Sequence, residues 1–149
     1  MPLDLSLVGK PSAPHTWEYS WKDTVLYALG VGAKQDELDY LYEGRGPRVL
    51  PGFAVVSKFA PMLELLGKSG GNMAMIVHYG ERVQVHAPLA PSGKLTTTAT
   101  LRGVYDMKRL AQVIIDTRAV DAAGALVAET TSAMLFRGDG GFGDRKSVV

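Results

Sequence analysis

A change of hydrophobic period at Gly71 constrains this chain more than any other feature. Before it, Pro51 to Leu66 repeats its apolar residues with helical spacing. Phe53, Val56, Ala60 and Leu63 fall on one stripe, and Val55, Phe59, Met62 and Leu66 on the adjoining one. So broad an apolar arc predicts a helix surrounded by protein. Pro61 should kink it or split it at Ala60, because the proline ring blocks the carbonyl four residues back. Gly67 is a natural C-cap. After Gly71 the period is two. Arg82-Val83-Gln84-Val85-His86 alternates strictly, Leu95 to Tyr105 is threonine-rich, and Gln112 to Val120 and Leu126 to Phe136 read as two further strands. Asp121-Ala122-Ala123-Gly124 suits the hairpin loop between the last two.

Upstream, residues 1–16 hold three prolines and read as an extended arm. Thr16 to Trp21 alternates aromatic and polar residues, as a short edge strand does. Asp23 is placed to N-cap a helix through Leu29, which Gly30 and Gly32 end. One early strand, one central helix and about four long antiparallel strands predict an α+β domain. The simplest packing is an antiparallel sheet wrapped around a single buried helix. A chain of 149 residues suits one such domain.

Charge and composition narrow the function. Sixteen basic against fifteen acidic residues give a net charge of +1. That balance leaves no electrostatic footprint for nucleic acid or an anionic membrane surface. The absence of cysteine excludes disulfides and thiolate chemistry. The N-terminal residues lack a basic region followed by an apolar core, and no apolar run approaches the ~20 residues that span a bilayer. The final residues are not a Ser-Lys-Leu address. The expected compartment is cytoplasmic.

Several short steps occur in a telling order: Tyr27-Ala28-Leu29-Gly30-Val31-Gly32-Ala33, Tyr42-Glu43-Gly44, Leu50-Pro51-Gly52-Phe53, Pro88-Leu89, Gly93-Lys94-Leu95 and Gly140-Gly141-Phe142-Gly143. In this order and spacing they resemble the N-terminal half of type-2, (R)-specific enoyl-CoA hydratases, the MaoC-like double hot-dog proteins. The resemblance implies a hot-dog fold over residues 1–143, with 144–149 as linker or tail. The four glycines of residues 138–143 fit a flexible boundary. It also implies addition of water to a trans-2-enoyl-CoA, with coenzyme A as part of the substrate and no other cofactor.

In that family an aspartate and a histidine of an Asp-x-Asn-Pro-(Leu/Ile)-His motif activate the water. The motif lies in the other half. Here the single asparagine, Asn72, precedes Met73, and none of His15, His78 and His86 follows an Asn-Pro step. No catalytic residue is therefore assigned, and no metal set.

The resemblance places the acyl group beside the start of the central helix. The substrate-binding candidates are Leu50, Pro51, Gly52, Phe53 and Val56, with His78 and Glu81 near a His-Gly-Glu step of relatives that Tyr79 here interrupts. Phe53 equally suits the core, Gly52 a turn, and His78 and Glu81 a solvated bend. His86 suits a surface or interface position, and His15 no role. Arg45, Arg48 and Lys58 are the nearest cations for CoA phosphates, or solvated charges. Glu43 has Arg45 and Arg48 within reach as partners.

Three functions fit. The first is the substrate-binding, non-catalytic half of an enoyl-CoA hydratase, active only with a catalytic hot-dog half in the same or a separate chain. The second is a homodimeric acyl-CoA binding module without catalysis. A hot-dog thioesterase fits less well, since Glu64, the acid inside the helix, lies late in it.

Overall fold

Ser20, not Asp23, opens the first helix. In the computed structural model, which describes residues 2–143 and 145–147, Asp23 sits at the third helical position. Its carboxylate accepts from the Ser20 backbone N–H at 2.7 Å and from the Ser20 hydroxyl at 3.0 Å. This reciprocal box satisfies orphan donors at the helix start. The helix, α1, spans Trp21–Gly30. It follows strand β1, His15–Tyr19. A single turn, α2, Leu38–Leu41, leads toward the central segment.

The central segment is two helices in series. Pro51–Lys58 is a 3-10 helix, and Phe59–Lys68 is an α-helix, α3. The break falls at Lys58, close to the expected split. Pro61 thereby lies in the first turn of α3, where its missing N–H is one that no helical carbonyl would have met. Gly67 does not end the helix. Ser69 caps it, and Gly70 takes the left-handed conformation with φ of 85°.

Strands β2 (Ile76–Val85), β3 (Gly93–Met107), β4 (Leu110–Val120), β5 (Leu126–Arg137) and β6 (Arg145–Ser147) complete the sheet. Its order is β1-β3-β4-β5-β2, all antiparallel, with β6 beside the far end of β3. One sheet curls round one central helix, the hot-dog arrangement. Alternation puts Thr130, Ser132, Met134 and Phe136 of β5 on the inner face. Leu65, Leu66, Leu101, Val113, Ile115 and Phe136 form the main core between α3 and the sheet.

One further expectation fails. The helix is not surrounded: Phe59 is 49% exposed and Leu63 50%. That flank looks out beside β2, the terminal strand of the sheet, and no described element covers it. The glycine-rich residues 138–143 make contacts with the sheet. Asp106 accepts from the backbone N–H of Gly141 and of Gly143, and Phe142 packs on the core. Of the expected tail, residues 145–147 pair with β3, and 144, 148 and 149 lie outside the described residues.

The proline-bearing arm is docked. Gly9 and Ser12 donate to the carbonyls of Leu101 and Ala99, and His15 Nε2 meets Glu64 Oε2 at 2.5 Å. Lys68 bonds the other oxygen of Glu64. Lys68 foremost, then His15, holds the Glu64 carboxyl below the usual carboxylate range. Its charged form is therefore favoured by folding, so its contribution is present above the ordinary carboxylate range and lost as pH falls through the lowered value. Glu64→Gln should lower the melting temperature at neutral pH, where the carboxylate is charged, and change it little in acid, which flattens the acid limb of the profile. An unchanged acid limb would show that this cluster does not couple to folding.

Candidate functional site

The exposed flank of α3 and the inner face of β2 enclose an apolar groove of about 560 Å³. Phe59, Met62, Leu63, Leu66, Met73 and Met134 supply most of its wall. Half of the chain's six methionines thus line one cleft. Their unbranched thioethers adapt to varied apolar shapes. At the end nearest the 3-10 helix the wall turns polar, with Lys58, His78 and Glu81.

Lys58 is the unexpected residue. Its side chain is 4% exposed, against the solvated position open to it in the sequence. It lies three residues after Val55 and four before Met62, so helical spacing already put it on the apolar stripe. Its ammonium bonds Glu81 Oε2 and donates to Ser132 Oγ at 2.7 Å. Ser132, with no exposed surface, donates to the same Glu81 oxygen at 2.9 Å. His78 Nε2 meets that oxygen at 3.2 Å.

A bulge makes this possible. Residues three apart on a regular strand point to opposite faces. In β2 the register slips between His78 and Gly80: His78 faces Met134, Gly80 faces Ala133, and Glu81 faces Ser132. Tyr79 is the extra residue, extruded and 67% exposed. His78 and Glu81 therefore share the inner face despite the interrupting tyrosine.

The helix-start candidates are placed differently. Phe53 is 1% exposed, and its ring lies 5.2 to 5.6 Å from those of Tyr19, Trp17 and Tyr27. Val56 packs against the same aromatic cluster. The Leu50 carbonyl accepts from Phe53 N–H at 2.9 Å, and Pro51 lines a second groove of about 480 Å³ with Arg48, His86 and Leu89. Gly52 is crowded by Tyr27: a Cβ there would stand 2.5 Å from the tyrosine hydroxyl oxygen. Gly52→Ala should cost about 1–3 kcal/mol in chemical denaturation through this overlap. Adding Tyr27→Phe should recover most of it, since the next ring atom is 3.6 Å away. No recovery would mean that backbone freedom, not the hydroxyl, requires glycine.

Around this site His86 bonds Glu129 at 2.8 Å, and Arg45 pairs with Asp39 rather than Glu43, at 3.1 Å. Arg48 lies over the Tyr40 ring. The Tyr42 ring lies over Gly44, where a Cβ would stand 2.5 Å from it. Among the described residues no three His, Asp or Glu side chains gather as metal ligands. No helix among them is long and apolar enough to cross a membrane.

Residues 17–138 match the family model of the MFE-2 hydratase 2 N-terminal domain. The chain belongs to this family. It is 35% identical to 3-hydroxyacyl-thioester dehydratase Y of Mycobacterium tuberculosis, over 96% of this chain and 51% of that protein. A MaoC-like dehydratase from Phytophthora capsici superposes with a TM-score of 0.80 at 24% identity, over 99% of this chain and 53% of that one. The truncated HadBC (3R)-hydroxyacyl-ACP dehydratase complex of Mycobacterium tuberculosis contains a chain with the same fold, at a TM-score of 0.74 and 15% identity. That match covers 87% of this chain and 96% of that one. The expected hot-dog fold and the (R)-hydratase type of family are thus established. The chain spans about half the length of the curated relatives it matches.

Proposed function

We propose that this chain is the substrate-binding, non-catalytic half of an (R)-specific 2-enoyl-CoA hydratase or dehydratase. The observation that carries this is a missing motif. A hydratase-family domain that spans about half of its relatives has no Asp-x-Asn-Pro-(Leu/Ile)-His step. Water addition needs a base and an acid within hydrogen-bond reach of one water. A catalytic hot-dog half, in the same or a separate chain, supplies them in this reading.

The chain's own share is the groove. Its volume lies in the range of small-ligand sites, and its wall suits a hydrocarbon tail. The acyl tail lies between α3 and β2. The thioester sits toward the helix start, near Leu50, Pro51 and Gly52, and Arg48 stands at the second groove for the CoA phosphates. Phe53 and Val56 hold that helix start from behind. Coenzyme A enters as part of the substrate, with no further cofactor. The setting is cytoplasmic in this reading, and fractionation of the source cells against organelle markers decides it.

Strand β2 gives the partner a place. It pairs with β5 alone among the described residues, and Val77 and Val83 are 41% and 37% exposed on it. An open strand this long is a template for another sheet. A second copy would satisfy the same edge, which supports the alternative of a homodimeric acyl-CoA binder.

The test is hydration of a trans-2-enoyl-CoA, followed by loss of the conjugated thioester. The isolated chain should show only the uncatalysed rate, and joining it to a catalytic hot-dog half should give turnover. Turnover by the chain alone would overturn the assignment. A stable homodimer that binds acyl-CoA, with no effect from a catalytic half, would favour the alternative.

A further inference from the structure

The polar end of the groove has more equipment than an acyl-tail sleeve needs. A charged pair buried in an apolar wall is seldom a source of stability, because desolvation offsets the attraction. Lys58 and Glu81 nonetheless sit there, with Ser132 completing a closed triangle of hydrogen bonds. An ammonium has three N–H donors. Two are used by Glu81 and Ser132; beyond the face of the Phe59 ring, 5.9 Å away, no oxygen or nitrogen among the described residues is bonded to the third. Lys58 and Glu81 both line the groove. Glu81 neutralises the cation, so the site favours a neutral oxygen over an anion. A plain hydrocarbon passing this point would cover the spare donor and leave it unpaired, which carries a penalty.

We propose that Lys58, oriented by Glu81 and Ser132, is a specificity-determining residue that donates a hydrogen bond to a neutral oxygen of the bound acyl group. The ligand lies with that oxygen at the polar end of the groove, beside Lys58, and its hydrocarbon toward Leu66 and Met73. The oxygen is either the thioester carbonyl or a hydroxyl carried on the tail. This rests on the reading of the groove as the acyl site.

The experiment measures the Kd of three probes on the complete native protein and on its Lys58→Met variant. The probes are decanoyl-CoA, the S-decyl-CoA thioether that lacks the carbonyl, and a set of hydroxydecanoyl-CoA isomers. Labelled methionine methyls report occupancy independently. If the carbonyl is the ligand, Lys58→Met weakens decanoyl-CoA about tenfold, a lost hydrogen bond to a charged donor, and leaves the thioether unchanged. If a tail hydroxyl is the ligand, only one or more hydroxylated probes weaken. Equal losses for all probes, or none, overturn the proposal, because a merely structural lysine does not distinguish an oxygen from a methylene.

Should Lys58→Met fail to fold, two further measurements decide. The native protein must bind an oxygen-bearing probe more tightly than the thioether. Ser132→Ala, which disturbs the orientation of Lys58, must reduce that preference. Equal native affinities overturn the proposal. Bound decanoyl-CoA that leaves the Met62, Met73 and Met134 methyls unmoved removes the groove itself as the acyl site, and this proposal with it. Moved methyls without a Lys58 effect sink this proposal alone.

Discussion

Glu81→Leu should destabilise the protein by about 3–5 kcal/mol, because it strands the Lys58 ammonium in the groove wall without its counter-ion. Lys58 is 4% exposed at the side chain and Glu81 19%, so water does little to compensate. Ser132 remains as a neutral acceptor and cannot replace the charge. The double variant Lys58→Met with Glu81→Leu removes both charges while keeping similar bulk. It should recover much of that loss and remain about 1–3 kcal/mol below the native protein, because the buried Ser132 hydroxyl then has neither partner. Urea denaturation of the four proteins in this cycle gives the coupling directly. A single variant that loses less than about 1 kcal/mol would show that Lys58 reaches solvent or another partner. A double variant as unstable as the single one would show that shape, not charge, is what the pair provides.

The second large effect lies at the helix start. Phe53→Ala should cost about 3–5 kcal/mol, the range for emptying a buried aromatic site. The ring is 1% exposed and central to the cluster of Trp17, Tyr19 and Tyr27. Those three come from β1 and α1, so a cavity there loosens the joint between the early strand, the first helix and the 3-10 segment. The near-ultraviolet circular dichroism of Trp17 should weaken along with the fall in stability. Phe53→Leu, which keeps most of the volume, should lose less. A cost below about 1 kcal/mol for the alanine variant would mean that the cluster collapses onto the gap and that Phe53 does not anchor the helix.

Much of the fold was legible because it depends on period. The two-fold alternation of Arg82 to His86, and the runs Gln112–Val120 and Leu126–Phe136, specify strands whatever lies around them. The Pro51–Leu66 stripes specify a helix in the same way. What the pattern misjudged was neighbourhood. Phe59 and Leu63 look like core residues by spacing, yet half of each is exposed, since a period records which face is apolar and not what covers it. Caps slipped for a related reason. Asp23 and Gly67 carry the right chemistry for a cap, but Ser20 and Gly70 hold the required backbone conformations.

The candidate site divides along the same line. The sequence by itself determined the family-like order of short steps and the absence of the Asp-x-Asn-Pro-(Leu/Ile)-His motif, because both are matters of residue identity along the chain. It also determined that His78 and Glu81 stand three residues apart, a spacing that in a regular strand separates them. Only the tertiary structure decided that they meet. The bulge at Tyr79 turned Glu81 inward, the 3-10 helix carried Lys58 across the sheet, and β5 brought Ser132 from a distant part of the chain. No local rule ties these three segments together. Their contact comes from how one sheet wraps one helix, and the strongest polar feature of the groove exists nowhere but in that packing.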